Sequence, residues 1–155
     1  HTLYHAPEFR EFLCAVLGIE KLYEYADPLS SINLHYASQS QELGWHFDNS
    51  SFAITLMIQT PEQGGTFEYV ADVRNADLGD MNFGLSRKVL DGEISPKTLD
   101  IDAGALVLFR GRNSMHRVTT IRGERTRMLA VLAYNTESGV SLSESARTTF
   151  YGRLE

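Results

Sequence analysis

Apolar residues recur along this chain with two different periods, and the change from one to the other divides it. Phe9, Phe12, Leu13, Val16 and Leu17 fall at i, i+3, i+4, i+7 and i+8, one stripe of an amphipathic helix. Pro7 stands where a first-turn proline is tolerated, and Gly18 where a left-handed residue can end the helix. The stripe reads as core packing rather than a partner surface. From residue 31 the period is two: Ile32, Leu34 and Tyr36 alternate with Asn33, His35 and Ala37, the pattern of a half-buried strand. Further strands are predicted over residues 52–59, 66–70, 105–110, 115–121 and 126–135, with turn formers such as Gly64-Gly65, Asp102-Ala103-Gly104 and Arg122-Gly123-Glu124 between them. Leu85, Val89 and Leu90, in the otherwise polar stretch 72–97, predict a helix inserted between strands. Residues 137–155 are Ser/Thr-rich with little apolar period and read as a loop or terminal cover. Many short strands after a leading helix predict a double-sheet β-fold rather than a parallel sheet.

Composition narrows the function classes. At 155 residues the chain suits a single domain over 1–155 with a real core. It begins at His1 rather than Met, so the expectation is an N-terminally incomplete piece. A net charge of −6 argues against a nucleic-acid partner, which needs clustered Lys and Arg to displace counterions. Cys14 is the only cysteine, which excludes an internal disulfide and a cysteine-rich zinc site. The longest apolar runs have strand length, so no membrane partner is expected, and a cytoplasmic location is the default.

His46-Phe47-Asp48 is the feature that carries chemistry. On a strand or strand edge, residues i and i+2 point to the same side, so His46 and Asp48 can offer a nitrogen and a carboxylate oxygen to one ion. His116, on another predicted strand, can supply a third ligand. Two histidines and one carboxylate on one face are the facial triad of non-haem Fe(II) oxygenases, which leaves positions open for cosubstrate and oxygen. By itself a His-x-Asp is a weak signal in a chain with five histidines. His35 reads as a strand-surface residue or one that backs a ligand, and His1 and His5 as idle terminal residues. Trp45 and Phe47 read as core, while Asn49 and Asn135 are candidates to bind a polar substrate or to serve in turns and caps.

The surrounding blocks resemble the 2-oxoglutarate-dependent oxygenases. They are Leu34-His35-Tyr36 with Gly44-Trp45-His46-Phe47-Asp48, Gly64-Gly65-Thr66-Phe67-Glu68-Tyr69, Ala103-Gly104-Ala105-Leu106-Val107-Leu108-Phe109, and His116-Arg117-Val118 followed by Gly123-Glu124-Arg125. They cover residues 31–135 in the family's order. Phe109-Arg110-Gly111, Ala130-Val131-Leu132-Ala133-Tyr134 and Tyr151-Gly152-Arg153 are most similar to the small oxygenases and halogenases that act on free amino acids. The resemblance implies a double-stranded β-helix (jelly roll, cupin-like) with flanking helices, and iron on His46, Asp48 and His116. It implies Fe(II), 2-oxoglutarate and O2 as the reacting set, with Arg125 gripping the far carboxylate of 2-oxoglutarate through a forked guanidinium. Arg127, on the same strand face, is the alternative for that grip.

Halogenating members have a small residue where Asp48 stands, so the resemblance points to the hydroxylating branch, with a small polar molecule as substrate and a free amino acid or its derivative foremost. A homodimer is left open. Two other classes compete: a metal-binding β-domain without catalysis, acting as a binding module, and a zinc hydrolase, which also accepts two histidines and an aspartate. A hydrolase has no use for a carboxylate clamp, which argues against the second.

Overall fold

Two antiparallel sheets face each other, and the chain crosses between them as it goes. The computed structural model describes residues 2–27, 29–50 and 52–152; His1 and Arg153 lie outside the described residues. Helices α1 (Thr2–His5) and α2 (Pro7–Leu17) come first. Strands β1 (Tyr23–Glu24), β2 (Ile32–Ala37), β3 (Leu43–His46), β4 (Phe52–Gln59) and β5 (Phe67–Val70) follow. A short 3-10 turn (Ala76–Leu78) and α3 (Phe83–Leu90) interrupt the strands before β6 (Lys97–Leu99), β7 (Leu106–Phe109), β8 (Met115–Val118) and β9 (Arg127–Asn135). Helix α4 (Glu144–Tyr151) is the last element.

One sheet runs β1-β9-β4-β7 with β2 also paired to β9, and the other runs β3-β8-β5-β6. Strands β2, β4, β7 and β9 thus alternate along the chain with β3, β5 and β8 of the opposite sheet. That winding is the expected double-stranded β-helix. Among the described residues no helix is long and apolar enough to cross a membrane.

The larger sheet is covered on its outer face by α1 and α2. Leu13, Tyr4 and Leu22 are buried there against Ile54, Leu132 and Tyr134, with Phe9 and Leu17 packed on the cluster. The helical stripe is narrower than its sequence pattern. Phe9, Leu13 and Leu17 face the sheet, whereas Phe12 is 50% exposed and Val16 58%. A straight helix on a sheet buries one row spaced by four, and positions 12 and 16 turn away from it. Gly18 ends α2 with φ +65°, the left-handed conformation expected of it.

The insertion between β5 and β6 builds a second cluster of Val73, Val89 and Met115, against which Trp45, Phe47 and Leu85 pack. The C-terminal cover is helical rather than a loop. Its attachment is polar: Arg147 Nε donates to Asp27 at 2.9 Å, and Tyr151 Oη donates to Asn33 Oδ1 at 2.8 Å. An element held by such contacts carries little apolar period to read.

Tyr4 ties the leading helices to the sheet. Its hydroxyl donates to Ala133 O at 2.8 Å and accepts from Tyr25 N at 2.9 Å, while Tyr134 Oη donates to Tyr4 O at 2.7 Å. Tyr4→Phe leaves the Tyr25 N–H and the Ala133 carbonyl without that partner in a buried setting. The expected loss of stability is about 2 kcal/mol in urea unfolding. An unchanged midpoint would show that water replaces the hydroxyl.

Candidate metal centre

The site begins with a strand register. His46, the last residue of β3, pairs directly with His116 of β8, and Tyr69 of β5 pairs with His116 on its other side. The two imidazoles therefore lie side by side, with ring centroids 4.1 Å apart. Asp48 follows beyond the strand end, where its N–H donates to Gly111 O at 3.0 Å and its side chain turns back toward the histidines. Asp48 Oδ1 is 3.8 Å from His46 Nε2 and 3.5 Å from His116 Nε2.

Backbone carbonyls fix the chemistry of both rings. His46 Nδ1 sits 2.8 Å from Gly44 O and His116 Nδ1 sits 3.0 Å from Ser114 O. A carbonyl only accepts, so each Nδ1 carries the hydrogen and each Nε2 turns its lone pair toward Asp48. Burial and the neighbouring His116 hold the His46 pKa below its usual range, which favours the neutral, ligating form. One donor atom from each of His46, Asp48 and His116 lies within 4.8 Å of the others. Ligand bonds of about 2.1 Å at right angles separate neighbouring donors by about 3 Å, so a small contraction suits a divalent ion. The structure thus brings together the three residues that the sequence singled out.

Their immediate neighbours are anchored away from this point. Phe47 packs in the insertion's cluster with the Arg74 guanidinium 3.8 Å above its ring. Trp45 packs in the same cluster beneath Arg117, which donates from Nε to Glu68 at 2.6 Å. Gly111 leaves the space that Asp48 fills: a Cβ there would overlap the Asp48 carboxylate.

The two arginines stand the other way round from the expectation. Arg125 lies in the turn before β9, exposed, with a guanidinium nitrogen 3.4 Å from Pro61 O, and it does not line the triad's cavity. Arg127 is 4% exposed and lines that cavity together with Leu129 and Val131. Alternation explains the difference, because residues 127, 129 and 131 of β9 face inward while 125 precedes the strand. Arg127 Nε is buried with no hydrogen-bond partner among the described residues. Burial alone pushes its pKa down, with no carboxylate countering it.

His35 also lines the cavity, from β2. Asn49 and Asn135 meet in a separate polar cleft of about 550 Å³ with Asp72, Asp77, Arg110 and Arg112. Arg112 organises its wall, donating to Asp77 at 2.8 Å and to Asn49 O at 3.0 Å. That hydrogen bond holds the Asp77 carboxyl below its usual range.

The winding of the strands and this inward set of two imidazoles and a carboxylate define a double-stranded β-helix with facial-triad donors. The chain belongs to the Halogenase D family, whose model matches residues 1–150. Its fold is similar to that of an oxidoreductase of the 2OG-Fe(II) oxygenase family from Burkholderia pseudomallei, at 14% identity and a TM-score of 0.65, over 90% of this chain and 55% of that one. It is also similar to a prolyl-4-hydroxylase from Pseudomonas putida, at 15% identity and a TM-score of 0.52, over 84% of this chain and 62% of that one. The chain thus spans little more than half the length of these solved relatives. No curated protein matches it in sequence.

A buried guanidinium without an anion costs stability. Arg127→Met keeps the stem and removes the charge. In buffer free of carboxylates it is expected to stabilise the fold by about 1–2 kcal/mol in urea unfolding. A clear loss of stability would show that protein groups already satisfy Arg127.

Proposed function

We propose that this domain is an Fe(II)- and 2-oxoglutarate-dependent oxygenase that hydroxylates a small polar substrate, a free amino acid or a derivative of one. The observation that carries the reading is the pairing, across one cavity, of a converged His46–Asp48–His116 donor set with a buried Arg127 whose Nε has no partner among the described residues. A metal alone needs no such arginine, and neither does a zinc hydrolase. An α-keto dicarboxylate uses both ends: its keto acid on the metal and its far carboxylate on a guanidinium.

In this reading His46 and His116 present neutral Nε2 atoms, and Asp48 supplies the charge that favours a divalent ion. Arg127, rather than Arg125, orients 2-oxoglutarate from the far end. The apolar wall of Val107, Phe109, Leu129 and Val131 excludes water around it. Bound iron would supply oxygen activation: one atom of O2 goes to the substrate as a hydroxyl and the other to succinate, formed from 2-oxoglutarate with release of CO2. The polar cleft with Asn49, Arg110 and Asn135 offers both charge signs, which suits a zwitterionic substrate.

Hydroxylation is favoured over halogenation by Asp48. A ligating carboxylate occupies the position that chloride needs, and the missing side chain at Gly111 makes room for that carboxylate. The test is product mass after turnover of the iron-loaded protein with 2-oxoglutarate and a panel of amino acids in saturating chloride. A gain of one oxygen is expected, matched by succinate. A chlorinated product from the enzyme with Asp48 intact would overturn the assignment, and metal uptake without 2-oxoglutarate consumption would point to a binding module.

A further inference from the structure

A Cβ would be crowded at Gly64, Gly65, Gly111 and Gly123. Three of these have a positive φ, which favours glycine whatever the space around it. Gly111 does not, so its backbone conformation gives no reason for a missing side chain. What the missing side chain provides there is room, and one group takes it. A Cβ at position 111 would fall on Asp48 Oδ2, 2.5 Å from Asp48 Cγ and 3.0 Å from Asp48 Cβ. Both carbon distances are inside the roughly 3.5 Å at which carbon atoms meet.

The two oxygens of Asp48 face different neighbours. Oδ1 is the atom near the histidines, 3.5 Å from His116 Nε2, while Oδ2 lies against Gly111. Gly111 also holds the backbone of this residue, its carbonyl accepting the Asp48 N–H at 3.0 Å. The turn that carries Gly111 is pinned to the residues on both sides of Asp48. Arg112 Nη1 donates to Asn49 O at 3.0 Å. Arg74 Nε donates to Arg112 O at 2.8 Å, and its guanidinium covers the Phe47 ring. The Arg74 N–H donates to Asn113 O at 3.3 Å as well. A side chain at 111 therefore cannot be met by the turn backing away. The group that yields is the Asp48 carboxylate, which needs only a rotation about its Cα–Cβ bond.

We propose that Gly111 is the positioning residue for the carboxylate of the metal centre, holding the Asp48 N–H and leaving the space that its second oxygen fills. Any side chain at 111 turns that carboxylate out of the donor set. Position 111 thus decides, together with position 48, whether the protein itself fills that coordination site. The inference rests on Asp48 being a metal ligand, as the proposed function has it.

The test is calorimetric titration of the intact protein and its variants with Co(II), a coloured stand-in for Fe(II), with thermal unfolding of each metal-free protein. Gly111→Ala and Asp48→Gly are each expected to weaken Co(II) binding about ten- to a hundredfold. At saturating metal, the visible spectrum of Gly111→Ala should match that of Asp48→Gly rather than that of the unaltered protein. Adding Gly111→Ala to Asp48→Gly should cost nothing further in Co(II) affinity or thermal midpoint, because a methyl group then enters space the carboxylate has left. Full Co(II) affinity or an unaltered spectrum in Gly111→Ala overturns the proposal. So does a double variant that binds Co(II) more weakly, or melts lower, than Asp48→Gly. If Gly111→Ala alone does not fold, the double variant decides: folding with the Co(II) affinity of Asp48→Gly supports the proposal, and failure to fold overturns it. Full Co(II) affinity in Asp48→Gly would instead sink the reading of Asp48 on which the proposal stands.

Discussion

The pairing of His46 with His116 across β3 and β8 is the constraint on which the site depends. A strand pair has a side-chain period of two, so a slip of one residue would turn one imidazole to the opposite face and leave a single histidine inside. The register is secured from both sides. A one-residue irregularity in β3 separates the His46–His116 pair from Leu43–Val118, so Leu43 and His46 both line the cavity, and β5 holds β8 from the other edge through Phe67–Val118 and Tyr69–His116. Trp45 and Phe47 add a third restraint by burying their rings under the insertion, on the side away from the ligands. The insertion thus contributes to the metal centre without touching it.

Around this fixed point a few polar side chains, His116 and Arg127 among them, are buried in an otherwise apolar interior, and that shaped what was legible in the sequence. β2 was readable because it alternates, and β4, β7, β8 and β9 because each is a strand-length run closed by turn formers. His46 and Asp48 were readable because i and i+2 share a side. In β2, however, the faces are reversed from the ordinary expectation. Leu34 and Tyr36 turn outward, 54% and 62% exposed, while His35 faces the cavity. His35 is exposed, as its reading as a surface or backing residue expects, and it also lines the cavity.

The choice between Arg125 and Arg127 turned on similar physics. Spacing from the Gly123 turn favoured Arg125, but parity with Leu129 and Val131 puts Arg127 inside, and parity decides where a side chain points. Strands β1 and β6 were beyond sequence reading for another reason. Each is two or three residues long and exists only because a partner strand supplies its hydrogen bonds. Helix α4, whose sequence shows little apolar period, makes its contacts among the described side chains through a salt bridge and a phenol.

These features have a common cost. An open carboxylate between two imidazoles and a buried guanidinium with no counter-ion among the described residues are both unfavourable until ligands arrive. The domain therefore stores part of its binding energy as polar groups held in place by its ladders. The most direct measurement of that account is a crystal structure of the protein loaded anaerobically with Fe(II) or Mn(II), with the metal located by anomalous scattering. A single strong peak is expected within about 2–2.3 Å of His46 Nε2, an Asp48 carboxylate oxygen and His116 Nε2. A metal bound elsewhere, or one that leaves His116 without a bond, would contradict it.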